Sequence, residues 1–154
     1  MWVIPILVFL AFLLFSSSEA KSMENQPPNQ EIDTIGHFIR NNEGLRLHAY
    51  WDVRRWSIGY GTIGHEGEVI TAEEAYNRMV AYLCNDYNRF IREWQGYDTN
   101  MKTAMLDFAY QYGYGGMRSR FGAYLTAHNR EAIKNKLLSM NDYYTRRQKE
   151  AALL

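Results

Sequence analysis

Apolar positions recur along this chain at helical spacing, interrupted once by a stretch of different texture. Ile32, Ile35, Phe38 and Ile39 mark one face of a first helix, with Asp33 or Thr34 as its N-cap and Asn41, Asn42 and Gly44 ending it. From Leu45 to Thr62 aromatic and β-branched residues dominate, broken by Arg54-Arg55, Gly59 and Gly61, the pattern of a small antiparallel hairpin or sheet. Gly64-His65-Glu66-Gly67 is a loop. Thr71-Ala72-Glu73-Glu74 then reads as a capping box, opening a long helix with Ala75, Met79, Leu83, Phe90 and Trp94 on one face. After the Gly96-Tyr97-Asp98 turn, Met101, Ala104, Met105, Phe108 and Ala109 describe another amphipathic helix, expected to stop in the stretch Gly113-Tyr114-Gly115-Gly116. Shorter helices follow around Phe121–Ala127, Glu131–Leu138 and from Tyr144 onward.

The N-terminus has another character. Trp2 to Phe15 is apolar and uncharged, followed by Ser16-Ser17-Ser18-Glu19-Ala20. A membrane span needs about 20 residues, so this run has the length of a secretory h-region, and Ser18 and Ala20 are the small residues of a cleavage site. Residues 1–20 are therefore read as a signal peptide, or as an uncleaved signal anchor that makes transient membrane contact through residues 2–15. Residues 21–30, polar and carrying Pro27-Pro28, read as a linker. Residues 31–154 form one folded domain.

At 154 residues the chain is long enough for one core, and its 17 basic and 17 acidic residues give neither a nucleic-acid footprint nor an acidic tail. The single Cys84 forms no intrachain disulfide and sits near an apolar helix face. The four histidines lack metal-ligand spacing, and no phosphate or dinucleotide loop is present, so no metal or cofactor is expected.

The chemistry concentrates in one segment. Glu43 ends the first helix, where the negative end of the helix dipole and partial burial both favour a protonated carboxyl. Asp52 follows on the β segment. Glycoside cleavage requires one carboxyl that donates to the leaving oxygen and one carboxylate on the opposite side of the sugar. Asp52 would hold the attacking water or stabilise the charge developing on the sugar. Ser57, directly before Ile58-Gly59-Tyr60-Gly61, supplies a hydroxyl able to orient a water.

Glu43-Gly44-Leu45-Arg46-Leu47, Tyr50-Trp51-Asp52 and Ser57-Ile58-Gly59-Tyr60-Gly61 together resemble the catalytic segment of the phage-type lysozymes, glycoside hydrolase family 24. Leu106 to Gly113 resembles a second-lobe segment of that family, and Arg146-Arg147-Gln148-Lys149-Glu150 its closing Arg-Arg-x-x-Glu. One departure is that the family's hydroxyl residue lies six positions after the Asp, whereas Ser57 lies five after Asp52.

The resemblance implies an α+β fold, with a small antiparallel sheet lobe and a helical lobe joined by the long helix and a cleft between them. It implies a monomeric muramidase without cofactor, which cleaves the β-1,4 bond between N-acetylmuramic acid and N-acetylglucosamine in peptidoglycan strands; the apolar N-terminal run independently points to export to the periplasm or beyond. Glu43 would be the general acid, and a water held by Asp52 and Ser57 would invert the anomeric centre. Thr62 would contact substrate or continue the strand. Tyr110 and Gln111 match cleft-facing positions, with Gln111 expected to span the lobes by hydrogen bonds. Arg146 matches an arginine that approaches the catalytic Glu and fixes the geometry of a carboxylate network. Asn135 is a further cleft candidate by position. The rival readings are a lytic transglycosylase, in which the sugar's own hydroxyl attacks, and a catalytically inactive peptidoglycan-binding module.

The N-terminal reading is directly testable. The exported protein is expected to begin at Lys21, as N-terminal sequencing of the protein from the producing cell would reveal. A membrane-fractionated species that begins at Met1 or Trp2 would establish the anchor instead.

Overall fold

The computed structural model describes residues 29–154; the signal segment 1–20 and nearly all of the linker 21–30 lie outside the described residues. Helix α1 (Asn29–Glu43) leads into strands β1 (Arg46–Asp52), β2 (Arg55–Gly59) and β3 (Thr62–Ile63). Then come α2 (Ala72–Glu93), α3 (Thr99–Tyr112), α4 (Tyr114–Thr126), α5 (Arg130–Leu138) and α6 (Tyr144–Ala152). The fold is α+β, a small antiparallel sheet lobe and a helical lobe joined by α2.

Helix α1 buries Ile32, Ile35 and Ile39, as the spacing predicts. It starts earlier than expected, within the last two residues read as linker. Asp33 and Thr34 are therefore interior positions and not N-caps. Thr34 Oγ1 donates to Gln30 O at 2.9 Å, and Asp33 accepts from the Tyr76 hydroxyl at 3.0 Å. The early start is anchored by Glu31, whose carboxylate accepts from Thr99 at 2.7 Å and from Lys102 at 3.0 Å. These bonds hold the first turn against α3. At the other end Gly44 takes a left-handed φ of +72° and its N–H reaches back to Arg40 O at 3.3 Å, closing the helix directly after Glu43.

The strands pair in the order β1-β2-β3, antiparallel throughout. Asp52 faces Arg55 and Tyr50 faces Ser57, and Val53-Arg54 makes the two-residue turn with Val53 at φ +53°. Opposed residues share a face, and so do residues two apart along a strand. Tyr50, Asp52, Arg55 and Ser57 thus occupy one face of the sheet. The other face buries Ile58 against Ile70 and Ala75 in a small core of its own.

Helix α2 serves both lobes. Its capping box forms as predicted, with Thr71 Oγ1 accepting from Glu74 N at 3.1 Å and the Glu74 carboxylate accepting from Thr71 N at 2.7 Å. Ala75, in its first turn, packs on the sheet, while Met79, Leu83, Tyr87 and Phe90 enter the core of the helical lobe. That core is completed by α3, in which Met101, Ala104, Met105, Leu106, Phe108 and Ala109 are all buried. Helix α4 begins immediately after Gly113, so Gly115 and Gly116 sit in a helical first turn and not in the expected connecting stretch. Cys84 lies half-buried on α2, where burial pushes its thiol up and away from thiolate chemistry.

The joint between sheet and α2 leaves no room at Gly59. Its φ is +65°, and a methyl there would stand 3.0 Å from Ala75 Cβ and 3.2 Å from Ala75 Cα. Gly59→Ala is expected to cost about 2–4 kcal/mol, the left-handed penalty plus forced separation of two packed elements. The midpoint of urea unfolding measures this, and an unchanged midpoint would refute the packing described.

Candidate active site

Between the lobes lies a cleft of about 600 Å³ lined by Glu43, Asp52, Tyr110, Gln111, Arg146 and Lys149, among others. It continues into a second hollow of about 530 Å³, with which it shares Arg55, Gly61, Tyr110 and Gln111. Glu43 enters from the last residue of α1 and Asp52 from the end of β1, so each lobe contributes one carboxyl group to the same wall. Glu43 has 20% of its side chain exposed, whereas Asp52 is exposed. Gly61 passes close beneath Glu43, since a methyl on it would meet Glu43 Oε2 at 3.5 Å.

Arg146, in the first turn of α6, is the hub of the site. Its Nη1 donates to Glu43 Oε1 at 2.6 Å. Its Nε and Nη2 donate to the two carboxylate oxygens of Asp107 at 2.8 Å each, the two-pronged geometry that a guanidinium makes with a carboxylate. Burial alone would lower the proton affinity of this guanidinium, but the bonds and charges of Asp107 and Glu43 outweigh that and raise it. The network extends outward, with Asn42 donating to Asp107 at 3.4 Å and Lys149 donating to Asn42 at 3.0 Å.

Tyr110 donates its hydroxyl to Tyr60 O at 2.7 Å and so ties α3 to the sheet lobe across the cleft. Burial, then the nearby charge of Glu43, push this phenol well above the usual tyrosine range, so it stays a donor. Gln111 does not span the lobes as expected. Its side-chain oxygen accepts from Arg147, which lies in α6 of the same helical lobe. Arg147 is fully buried with its guanidinium 4.4 Å above the Phe108 ring.

Ser57 is fully buried on the sheet face that carries Asp52, and its hydroxyl has no protein partner. It is not among the residues that line the cleft surface. Thr62 donates to Ile58 O at 3.0 Å and so continues the sheet, while its edge touches the second hollow. Asn135 lies outside both hollows, exposed on α5 and bonded to Glu131 at 3.1 Å within its own helix. The structure therefore gathers Glu43, Asp52, Tyr110, Gln111 and Arg146, sets Ser57 beneath Asp52's face of the sheet, and leaves Asn135 out. Among the described residues no cluster of His, Cys, Asp or Glu has the arrangement of a metal site.

Two buried acids beside Arg146, Asp107 and Glu150, were given no role of their own from the sequence. The signal for Asp107 was its place inside the apolar run Ala104 to Ala109, where a carboxylate must find a cation. Glu150 lies one turn beyond Arg146 on α6. Its Oε1 comes within 2.8 Å of Arg147 Nη2, yet neither of its oxygens makes a well-directed hydrogen bond to the ionised form. Burial, followed by a hydrogen bond to Asp107 and the charge of Asp107, raises its proton affinity more than the two arginines lower it. Burial beside Asp107 thus biases Glu150 toward its neutral form.

That state has a consequence for stability. An acid whose affinity is raised on folding keeps its full contribution below the ordinary glutamate range and loses it as pH rises above that. Glu150→Gln, uncharged at every pH, escapes the loss. Its melting temperature is expected to match the parent near pH 4 and to exceed it by a growing margin toward pH 8, as thermal denaturation across pH would show. A variant that becomes steadily less stable than the parent over that range would establish an ionised Glu150–Arg147 pair instead.

No curated protein matches this chain in sequence. The profile of the family described as Phage lysozyme matches residues 40–152, most of the chain. Among solved structures, the endolysin of Escherichia coli O157:H7 phage FAHEc1 is similar at 24% identity and a TM-score of 0.66, covering 83% of this chain and 92% of that one. The muramidase domain of SpmX from Asticaccaulis excentricus is similar at 22% identity and a TM-score of 0.62, over 78% of this chain and 93% of that domain. A point mutant of P22 lysozyme is similar at 23% identity and a TM-score of 0.66, over 83% and 97%. The match of the family profile from the end of α1 to the end of α6, on a fold shared with these lysozymes, places the chain in the phage lysozyme family.

Proposed function

We propose that this peptidoglycan hydrolase cleaves the β-1,4 bond between N-acetylmuramic acid and N-acetylglucosamine, with Glu43 as general acid and Asp52 as the second carboxylate. The observation that carries the reading is the convergence of two carboxyl groups, one from each lobe, on the wall of one cleft. Glu43 is partly sheltered and held by Arg146, which fixes its direction, whereas Asp52 is open to solvent. In the reaction the Glu43 proton passes to the glycosidic oxygen as the bond to the anomeric carbon breaks. A water deprotonated by Asp52 completes that carbon from the opposite face, which inverts its configuration. Ser57 lies on the sheet face that bears Asp52 but is fully buried and outside the cleft lining, so the water is left to Asp52.

Tyr110 supports the reading by bridging the lobes across the cleft. The apolar run of residues 2–15 supports delivery of the enzyme across the membrane to its wall substrate.

Glu43→Gln preserves shape and is expected to fold normally while losing at least about 100-fold in turnover, the lower range for removal of a general acid. Reducing ends released from purified peptidoglycan measure it. Near-normal release by the variant would refute the role of Glu43, and anhydro ends from the parent would show transglycosylation in place of hydrolysis.

A further inference from the structure

The clamp on Arg146 poses a problem that the proposed reaction must solve. A general acid has to carry a proton, yet Glu43 sits 2.6 Å from a guanidinium, and a cation at that distance favours the carboxylate. The cleft around Glu43 is lined by the titratable or charged groups of Tyr50 and Asp52 on β1, Arg55 on β2, Tyr110 on α3, Tyr143, and Tyr144, Arg146 and Lys149 on α6. Of these, only Arg146 is in hydrogen-bond contact with it among the described residues. The charge that reaches Glu43 through that contact depends on what else Arg146 holds.

Asp107 holds most of it. It occupies Nε and Nη2, leaving Nη1 for Glu43, and it is fully buried, so no solvent competes for its oxygens. Behind it Glu150 and Arg147 are also fully buried. The cluster counts three acids, Glu43, Asp107 and Glu150, against two guanidiniums, Arg146 and Arg147. Of the three acids, Asp107 is the carboxylate that grips Arg146 through two edges.

We propose that Asp107 is a positioning residue of the hydrolytic reaction, neutralising Arg146 and aiming its Nη1 so that Glu43 is oriented without being stripped of its proton. This rests on Glu43 being the general acid. Arg146 alone would orient Glu43 but hold it as a carboxylate. Asp107 separates the two effects, because a guanidinium paired through two edges still presents a directional N–H on the third while its net charge is cancelled.

The test is the pH dependence of kcat/KM on soluble, uncrosslinked glycan strands, whose alkaline limb reports the general acid of the free enzyme. Asp107→Asn keeps the shape and removes the charge. Its alkaline limb is expected to fall by about one pH unit, with about a tenfold loss above the limb and activity recovering toward the parent value on the acid side. Asp107→Ser, which keeps an acceptor without the charge, is expected to do the same and serves if the asparagine variant folds poorly. Ionisation of Glu150 would replace the lost charge in either, so Asp107→Asn combined with Glu150→Gln is expected to show the full displacement.

A limb that stays in place in all three variants, whether activity falls uniformly or not at all, overturns the proposal and leaves Asp107 a structural residue. That outcome is distinct from failure of the underlying reading, in which Glu43→Gln itself would retain activity.

Discussion

A buried guanidinium holds this molecule's working parts in register. Arg146 has only 9% of its side chain exposed, and the cost of taking its charge out of water is several kcal/mol. That cost is offset only if every edge finds an anion in good geometry. Asp107 on α3 and Glu43 at the end of α1 provide them, so one side chain fixes three helices from distant parts of the chain. Removing one partner from such a pair typically costs about 3–5 kcal/mol, because the remaining charge stays buried. The arrangement is stiff for that reason, and it holds Glu43 in one direction at the cleft wall.

The cleft itself follows from the two cores. Ala75 packs with Ile58 and Ile70 under the sheet, while the next apolar positions of α2 pack with α1, α3 and α4. A single helix thereby belongs to two hydrophobic clusters, and the space where they part is the site. Tyr110 crosses that space with one hydrogen bond to Tyr60, on the sheet side. Net, such a bond contributes about 1 kcal/mol. The lobes are thus joined by a rigid helix on one side and by a weak latch on the other.

Much of this was legible in the sequence because it obeys local rules. The capping box at Thr71, the apolar face of α2 and the position of Glu43 at a helix end depend on residues within a few positions of one another. The start of α1 was misread because Glu31 is held by Tyr87, Thr99 and Lys102, tertiary partners no local signal reveals. Gly115 and Gly116 look like a turn by composition, yet they continue a helix because Tyr114 and Met117 are buried in the core. At the site, Glu43, Asp52, Tyr110, Gln111 and Arg146, picked out from the sequence, do line one cleft. The places of Asp107 and Glu150 and the partner of Gln111 were not legible, since each is defined by a contact between α3 and α6. Asn135 was proposed on position alone, and nothing in its helix turns it toward the cleft.

The contact between Arg146 and Glu43 joins residues 103 positions apart. Long-range contacts of this kind form late, because the loop between them must be closed first. During translation the carboxyl groups and the sheet emerge well before α6, so a nascent chain carries the outline of its cleft before it carries the clamp. Completion of the site therefore waits on α6, and a truncated translation product that lacks α6 has Glu43 without the cation that aims it.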